Sequence, residues 1–127
     1  MSVRNSSQID LKANVDVYAL PKDFTYEKFL DVADKTKYLQ YSGKNLVVDA
    51  GMNYIIGLMN GTNSTAFSYC AVGSNGTAVT SGDTALNTQI GSRVSITNKY
   101  STSLNAKFDT FFSTTDANGT WQELGLF

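Results

Sequence analysis

The sequence predicts an α+β protein that is mainly β, an antiparallel β-sandwich or jelly-roll-like pair of sheets carrying two short helices and an extended N-terminal arm. Three observations carry this reading. Apolar and polar residues alternate at Val15, Val17 and Ala19, at Val94 and Ile96, and at Leu104, Ala106 and Phe108, the period of a half-buried strand. Helical spacing occurs in two segments, one following Asp23 and one following Asp49. The joints between segments are built from Gly, Ser, Thr and Asn, with one proline at position 21.

In chain order, residues 1–14 show no period and read as an extended arm or frayed tail, with a self-packed edge strand as the alternative. Residues 15–127 form one β-rich domain. The Val15 strand ends at Pro21. Asp23 and Thr25 then offer cap oxygens to a first helix whose Tyr26, Phe29, Leu30, Ala33 and Lys37 share a face. Tyr38, Tyr41 and a turn at Gly43 lead to Leu46, Val47 and Val48. Asp49 caps a second helix, in which Met52, Ile55, Ile56 and Met59 face one way and Tyr54 and Leu58 make the flank apolar. That helix is expected to be largely enclosed, with Gly61 as its left-handed stop and Gly51 and Gly57 admitting a sheet closely.

A strand over 66–73 follows, bounded by glycine-rich loops. The loop after it has no GxxxxGK[ST] pattern, so it reads as a connection and not a phosphate cradle. Residues 88–100 and Leu104 to Phe108 are expected to form a long hairpin turning at Ser101, Thr102 and Ser103, with a bulge at Gly91. Asn118-Gly119 signals a second hairpin turn, and residues 120–126 read as the last strand, followed by a packed Phe127.

Composition narrows function more than fold. One domain is expected for 127 residues, long enough to bury about two thirds of its unfolded surface. Charged residues make up 17%, below the roughly 25% usual in soluble domains. The polar surface therefore falls to Ser, Thr, Asn and Gly. A formal net charge of −1 gives no cationic footprint for phosphates, so nucleic acid is not an expected partner. No apolar run of membrane-spanning length and no secretory leader are read, and no membrane partner is expected.

Cys70 is the single cysteine and, set in an apolar strand, reads as a buried, inert thiol. Histidine is absent, which removes imidazole-based triads and most zinc and non-haem iron sites. The acids are scattered; the Asp31 and Asp34 pair reads as a solvated helix face. No catalytic residue, metal site or cofactor is assigned, and the chain is read as non-enzymatic. The sequons at Asn5, Asn60, Asn63, Asn75 and Asn118 follow from composition.

The residues around 45–93 set the chain's character. Asn45, Val47 and Gly51, then Ala71-Val72-Gly73, Gly76-Thr77-Ala78, Asp83-Thr84-Ala85-Leu86, Arg93, and finally Asn118-Gly119-Thr120 with Glu123, Gly125, Leu126 and Phe127, form an ordered set. This set resembles a family of small virion proteins of tailed phages, of head-decoration, tail-fibre or baseplate-associated type. The resemblance covers residues 45–127. Members often carry an acid a few positions before the arginine; here Gln89-Ile90-Gly91-Ser92 stands there.

The resemblance implies a virion structural protein assembled in the host cytoplasm. The expected role is a capsid decoration or cement protein that lies across capsomer junctions. Its expected partners are the major capsid protein and copies of itself, as a homotrimer. Val3, Arg4, Ile9 and Leu11 of the arm are the expected capsid or subunit contacts. A tail-fibre or baseplate adaptor is the alternative. A carbohydrate-binding module is a third reading and requires Tyr38, Tyr41, Tyr100 and Trp121 to form an exposed platform. Glu123, set among Trp121, Leu124 and Leu126, needs a partner if buried, and Arg93 is expected to supply it as a structural ion pair.

Overall fold

A computed structural model describes residues 11–127. Among the described residues the protein is mainly β, with seven strands in antiparallel sheets and two short α-helices. The expected contacts Val3, Arg4 and Ile9 lie outside the described residues. Leu11 is described and exposed.

The first sheet pairs β1 (Ala13–Tyr18) with β2 (Leu39–Asn45), from Ala13 opposite Asn45 to Tyr18 opposite Leu39. Val15 and Val17 are half-buried and Asp16 is exposed, as the alternation requires. The strand opens at Ala13, inside the stretch read as arm. Between its strands the chain forms α1 (Tyr26–Leu30), capped by Thr25 Oγ1, which accepts the Lys28 N–H at 3.2 Å, and then a 3₁₀ turn over Lys35–Tyr38. The expected first helix is therefore broken in two. Asp34 accounts for the restart: its carboxylate accepts the Thr36 N–H, so the backbone there leaves the helix to be capped again. Gly43 pairs with Val15 within β2 and so makes no turn, and the Tyr41 ring fills the space a side chain would need there.

The second sheet has the order β4-β3-β7, with β3 (Tyr69–Gly73) between β4 (Gln89–Ser95) and β7 (Glu123–Leu126). Cys70, Ala71, Val72 and Gly73 are buried, and Val72 is the largest side chain fully removed from solvent. Gly91 takes φ +64° where the β3–β4 register shifts, which is the bulge its position predicts. The third sheet is a hairpin of β5 (Asn98–Thr102) and β6 (Asn105–Asp109). Strand pairing is interrupted at Ile96 and Thr97, so β4 and β5 belong to different sheets and the expected long hairpin is two elements. The turn falls at Ser103-Leu104, with Ser103 at φ 49°, and Ser101 and Thr102, read as part of the turn, belong to β5.

Helix α2 (Asp49–Asn60) begins with Asp49 inside the helix and Val48 at the cap position, where no side chain caps it. Instead, the Asp49 N–H donates to the Ser81 carbonyl at 2.8 Å. Gly61 supplies the left-handed stop at φ 82°. The expected enclosure does not occur: Ile56 and Met59 are 49% and 65% exposed. Gly57 serves the returning chain and not a sheet, since a Cβ there would overlap the Asn63 amide, which donates to the Tyr54 carbonyl at 3.2 Å.

Residues 110–122 form no strand. Ala117, not Asn118, takes the left-handed conformation at φ 46°, and the Asp116 carboxylate accepts from Ser113 N–H at 2.9 Å and Ser113 Oγ at 2.8 Å. This side-chain-closed turn replaces the expected Asn-Gly hairpin.

The three sheets enclose little. The chain exposes 9319 Å², against about 6,600 Å² for a compact monomer of 13.8 kDa. Residues 1–10 can contribute at most about 1,600 Å² in any placement, so about 1,100 Å² stands in excess.

One long-range bond joins the first sheet's helix to the third sheet: the Tyr26 hydroxyl donates to Asp109 Oδ2 at 2.6 Å. Burial, and then this bond, raise the Tyr26 pKa above its ordinary 10.0. Its stabilisation is thus complete below that value and lost as pH rises through the folded-state value. Replacing Tyr26 by Phe is expected to lower stability by about 1 kcal/mol at neutral pH and to flatten the alkaline limb, as checked by urea unfolding across pH 8 to about 11.

Candidate functional site

Part of the ordered pattern, Gly73, Leu86, Arg93, Glu123, Gly125 and Phe127, lies in or against the second sheet, whereas Asn45 belongs to the first sheet and Gly51 to α2. Glu123 opens β7 opposite Gly73, and its carboxylate is half-buried against residues 74–88. Oε1 accepts the Asn87 N–H at 2.7 Å. Oε2 accepts the Thr88 N–H at 3.0 Å and the Asn75 N–H at 3.3 Å. The carboxylate thereby ties both ends of the 74–88 loop to the sheet. Burial pushes the Glu123 pKa up, but the three amide bonds outweigh it and hold the group below its ordinary 4.5.

Gly73 is required by the same geometry. A Cβ there would overlap the Glu123 carboxylate and crowd the Thr88 carbonyl. The loop is stitched internally as well. Asn75 Oδ1 accepts the Thr77 N–H at 2.8 Å, and Asp83 accepts the Thr80 N–H at 3.0 Å and the Thr80 hydroxyl at 2.9 Å. Those two bonds hold the Asp83 pKa low. Ser74 N–H donates to the Thr88 carbonyl at 2.9 Å, and Gln122 N–H donates to the Gly73 carbonyl at 2.8 Å.

Arg93 is not the partner of Glu123. Its guanidinium lies over the Phe127 ring, 3.8 Å from the centroid, a cation–π contact. The reason is topological. β3 separates β4 from β7, and the register sets Glu123 level with Gln89, whereas Arg93 falls near the Ala71–Gly125 level. The Phe127 ring also packs on Gly125, where an added Cβ would come within 3.1 Å of it and within 3.4 Å of Leu86. Leu86, Gly125 and Phe127, with the Arg93 guanidinium over the Phe127 ring, therefore form one clasp on the second sheet. The ordered spacing pointed to these residues, but an acid bonded by main-chain amides leaves no mark in side-chain composition.

The carboxylate's hydrogen-bonding capacity is spent within the chain. The three amides that could receive an external anion are occupied by Glu123, and among the described residues no group of three Cys, Asp or Glu side chains could hold a metal ion. Of the four aromatic residues needed for a sugar platform, Tyr41 and Tyr100 are exposed, one on the first sheet and one on the third, and the other two pack against separate rings. Tyr38 packs edge-on against Phe24 at 5.4 Å, and Trp121 against Phe112 at 4.9 Å, while the Trp121 indole N–H donates to the Ala117 carbonyl. Tyr18, Tyr26 and Tyr100 gather around Asp109, and burial first and Asp109 second raise the Tyr26 phenol; Tyr18 and Tyr100 are raised in the same direction, again chiefly by burial.

Glu123→Gln keeps the shape and removes the charge. It is expected to speed amide exchange at Asn75, Asn87 and Thr88 and to lower the unfolding midpoint at neutral pH. The wild-type contribution is present above the ordinary carboxylate pKa and disappears as pH falls through the depressed folded value, so the two proteins should converge in acid. Gly73→Ala is expected to cost about 1–3 kcal/mol by displacing the same carboxylate.

Cys70 is buried, and burial raises its thiol to about 11. A thiol-selective reagent at pH 8 should label it in urea and leave it untouched in the folded chain; fast labelling of the native protein would contradict the burial.

No family model, no curated protein and no solved structure matches this chain.

Proposed function

We propose that this chain is a non-enzymatic structural component of a tailed-phage particle, a capsid decoration protein that lies across junctions of the major capsid protein and reinforces the shell. The observation that carries this reading is the excess of exposed surface over a thin core. A chain with buried apolar side chains confined to Cys70, Ala71, Val72 and Ala117 among the described residues leaves much of its apolar area to be covered by neighbours. Its low charge and its Ser, Thr and Asn surface suit a closely packed shell.

The resemblance over residues 45–127 supplies the virion context, and the latch at Glu123 gives those residues a common purpose: a loop held rigid enough to be a contact surface for the major capsid protein. In this reading the partners are the major capsid protein and further copies of the chain, as a homotrimer, and the N-terminal arm with Leu11 reaches a neighbour. The closing of the three sheets into a sandwich or jelly-roll-like pair belongs to the same proposal.

The test is the stoichiometry of the chain in purified particles, by quantitative mass spectrometry against the major capsid protein. A copy number of the same order as that of the capsid protein is expected. A copy number far below it would transfer the chain to the tail as a fibre or baseplate adaptor, and absence from particles would end the virion reading.

A further inference from the structure

The β5–β6 hairpin is the part of the molecule least explained by its own fold. Its strands pair with each other and with no other described strand, and every residue of Asn98–Thr102 is exposed. A two-stranded hairpin by itself is marginal in water. This one is anchored at its base: Thr97 N–H donates to the Asp109 carbonyl at 2.7 Å, Tyr26 bonds Asp109, and Phe108 meets Phe67 edge-on at 6.2 Å.

At the far end stands Leu104, 102% exposed. The turn does not need it. A two-residue loop with positive φ at its first central position is best closed by Gly, with small polar residues preferred around it. Here Ser103 takes the positive φ and Leu104 follows. A leucine held out on a bonded, base-anchored hairpin contributes nothing to the monomer and presents a full side chain to a partner.

We infer that Leu104 anchors a contact between two copies of this chain, the β5–β6 hairpin of one lying on the apolar surface of the next. The area argues for a second copy. The excess of about 1,100 Å² per chain is the size of one side of a standard interface, about 800 Å² per partner. Charge permits it as well: at a net charge of −1, two copies approach without appreciable like-charge repulsion. The inference rests on reading the chain as an assembly component, yet it is tested on the isolated chain, so its failure and that of the particle stoichiometry are separable.

The experiment is sedimentation of the full chain over a concentration series, with Leu104→Asp and Val79→Asp as variants. Leu104 touches nothing in the monomer, so Leu104→Asp should retain the wild-type circular dichroism and should raise the self-dissociation constant by about tenfold or more. Val79 is also exposed, at 51%, but lies outside the hairpin, and its variant should associate as wild type does. Amide exchange across residues 98–109 should slow as wild-type concentration rises. A wild-type chain that is monomeric at every concentration overturns the inference. So does undiminished association of Leu104→Asp, or weakening by Val79→Asp alone, which would place the contact on the 74–88 loop.

Discussion

A single carboxylate organises the described structure. Glu123 receives three main-chain N–H groups, two from the end of the 74–88 loop and one from its start. Hydrogen bonds to a charged acceptor are about twice as strong as neutral ones, and these three close a loop whose residues bury almost nothing. Without that closure the base of the loop would rest on the single bond from the Ser74 N–H to the Thr88 carbonyl.

Polar stitching of this kind recurs because the apolar core is small. Asp83 closes the turn at Thr80, Asp116 the turn at Ser113, and Asn63 returns the chain against α2 through Gly57. In each case a short side chain satisfies main-chain groups that no neighbouring strand reaches. Such a molecule keeps its loops ordered while leaving its sheets open. That combination suits a subunit whose remaining apolar area is covered by contact with others.

The strand content was legible in the sequence because a period of two survives where one face is sheltered, as at Val15 and Val17, and because β3, buried on both faces, is a short apolar run between polar loops. So were the Gly61 stop and the Gly91 bulge, which depend on local backbone conformation. Pairing was not legible. The break at Ile96 and Thr97 separates two strands that share one continuous alternation, and nothing in residue type marks it. The enclosure expected for α2 failed for a related reason: Ile56 and Met59 have core-like spacing, but spacing says only that a face is apolar, not that this chain covers it. Arg93 and Glu123 were expected to pair and do not. The expectation assumed side-chain neutralisation of the acid, whereas main-chain amides achieve it and free the guanidinium to stack on Phe127.

The tight β5–β6 turn also orders events in time. Its strands join residues that lie within twelve positions of one another, and contacts of that range form in about 1–10 μs. The β3–β7 pairing must wait for a closure of more than fifty residues, from Cys70 to Leu126, and the Glu123 latch waits with it. Distant closures are slower because more chain entropy is lost before any bond is gained. The hairpin's own contacts are therefore the fast ones, and the β3–β7 sheet that carries the domain is the slow one.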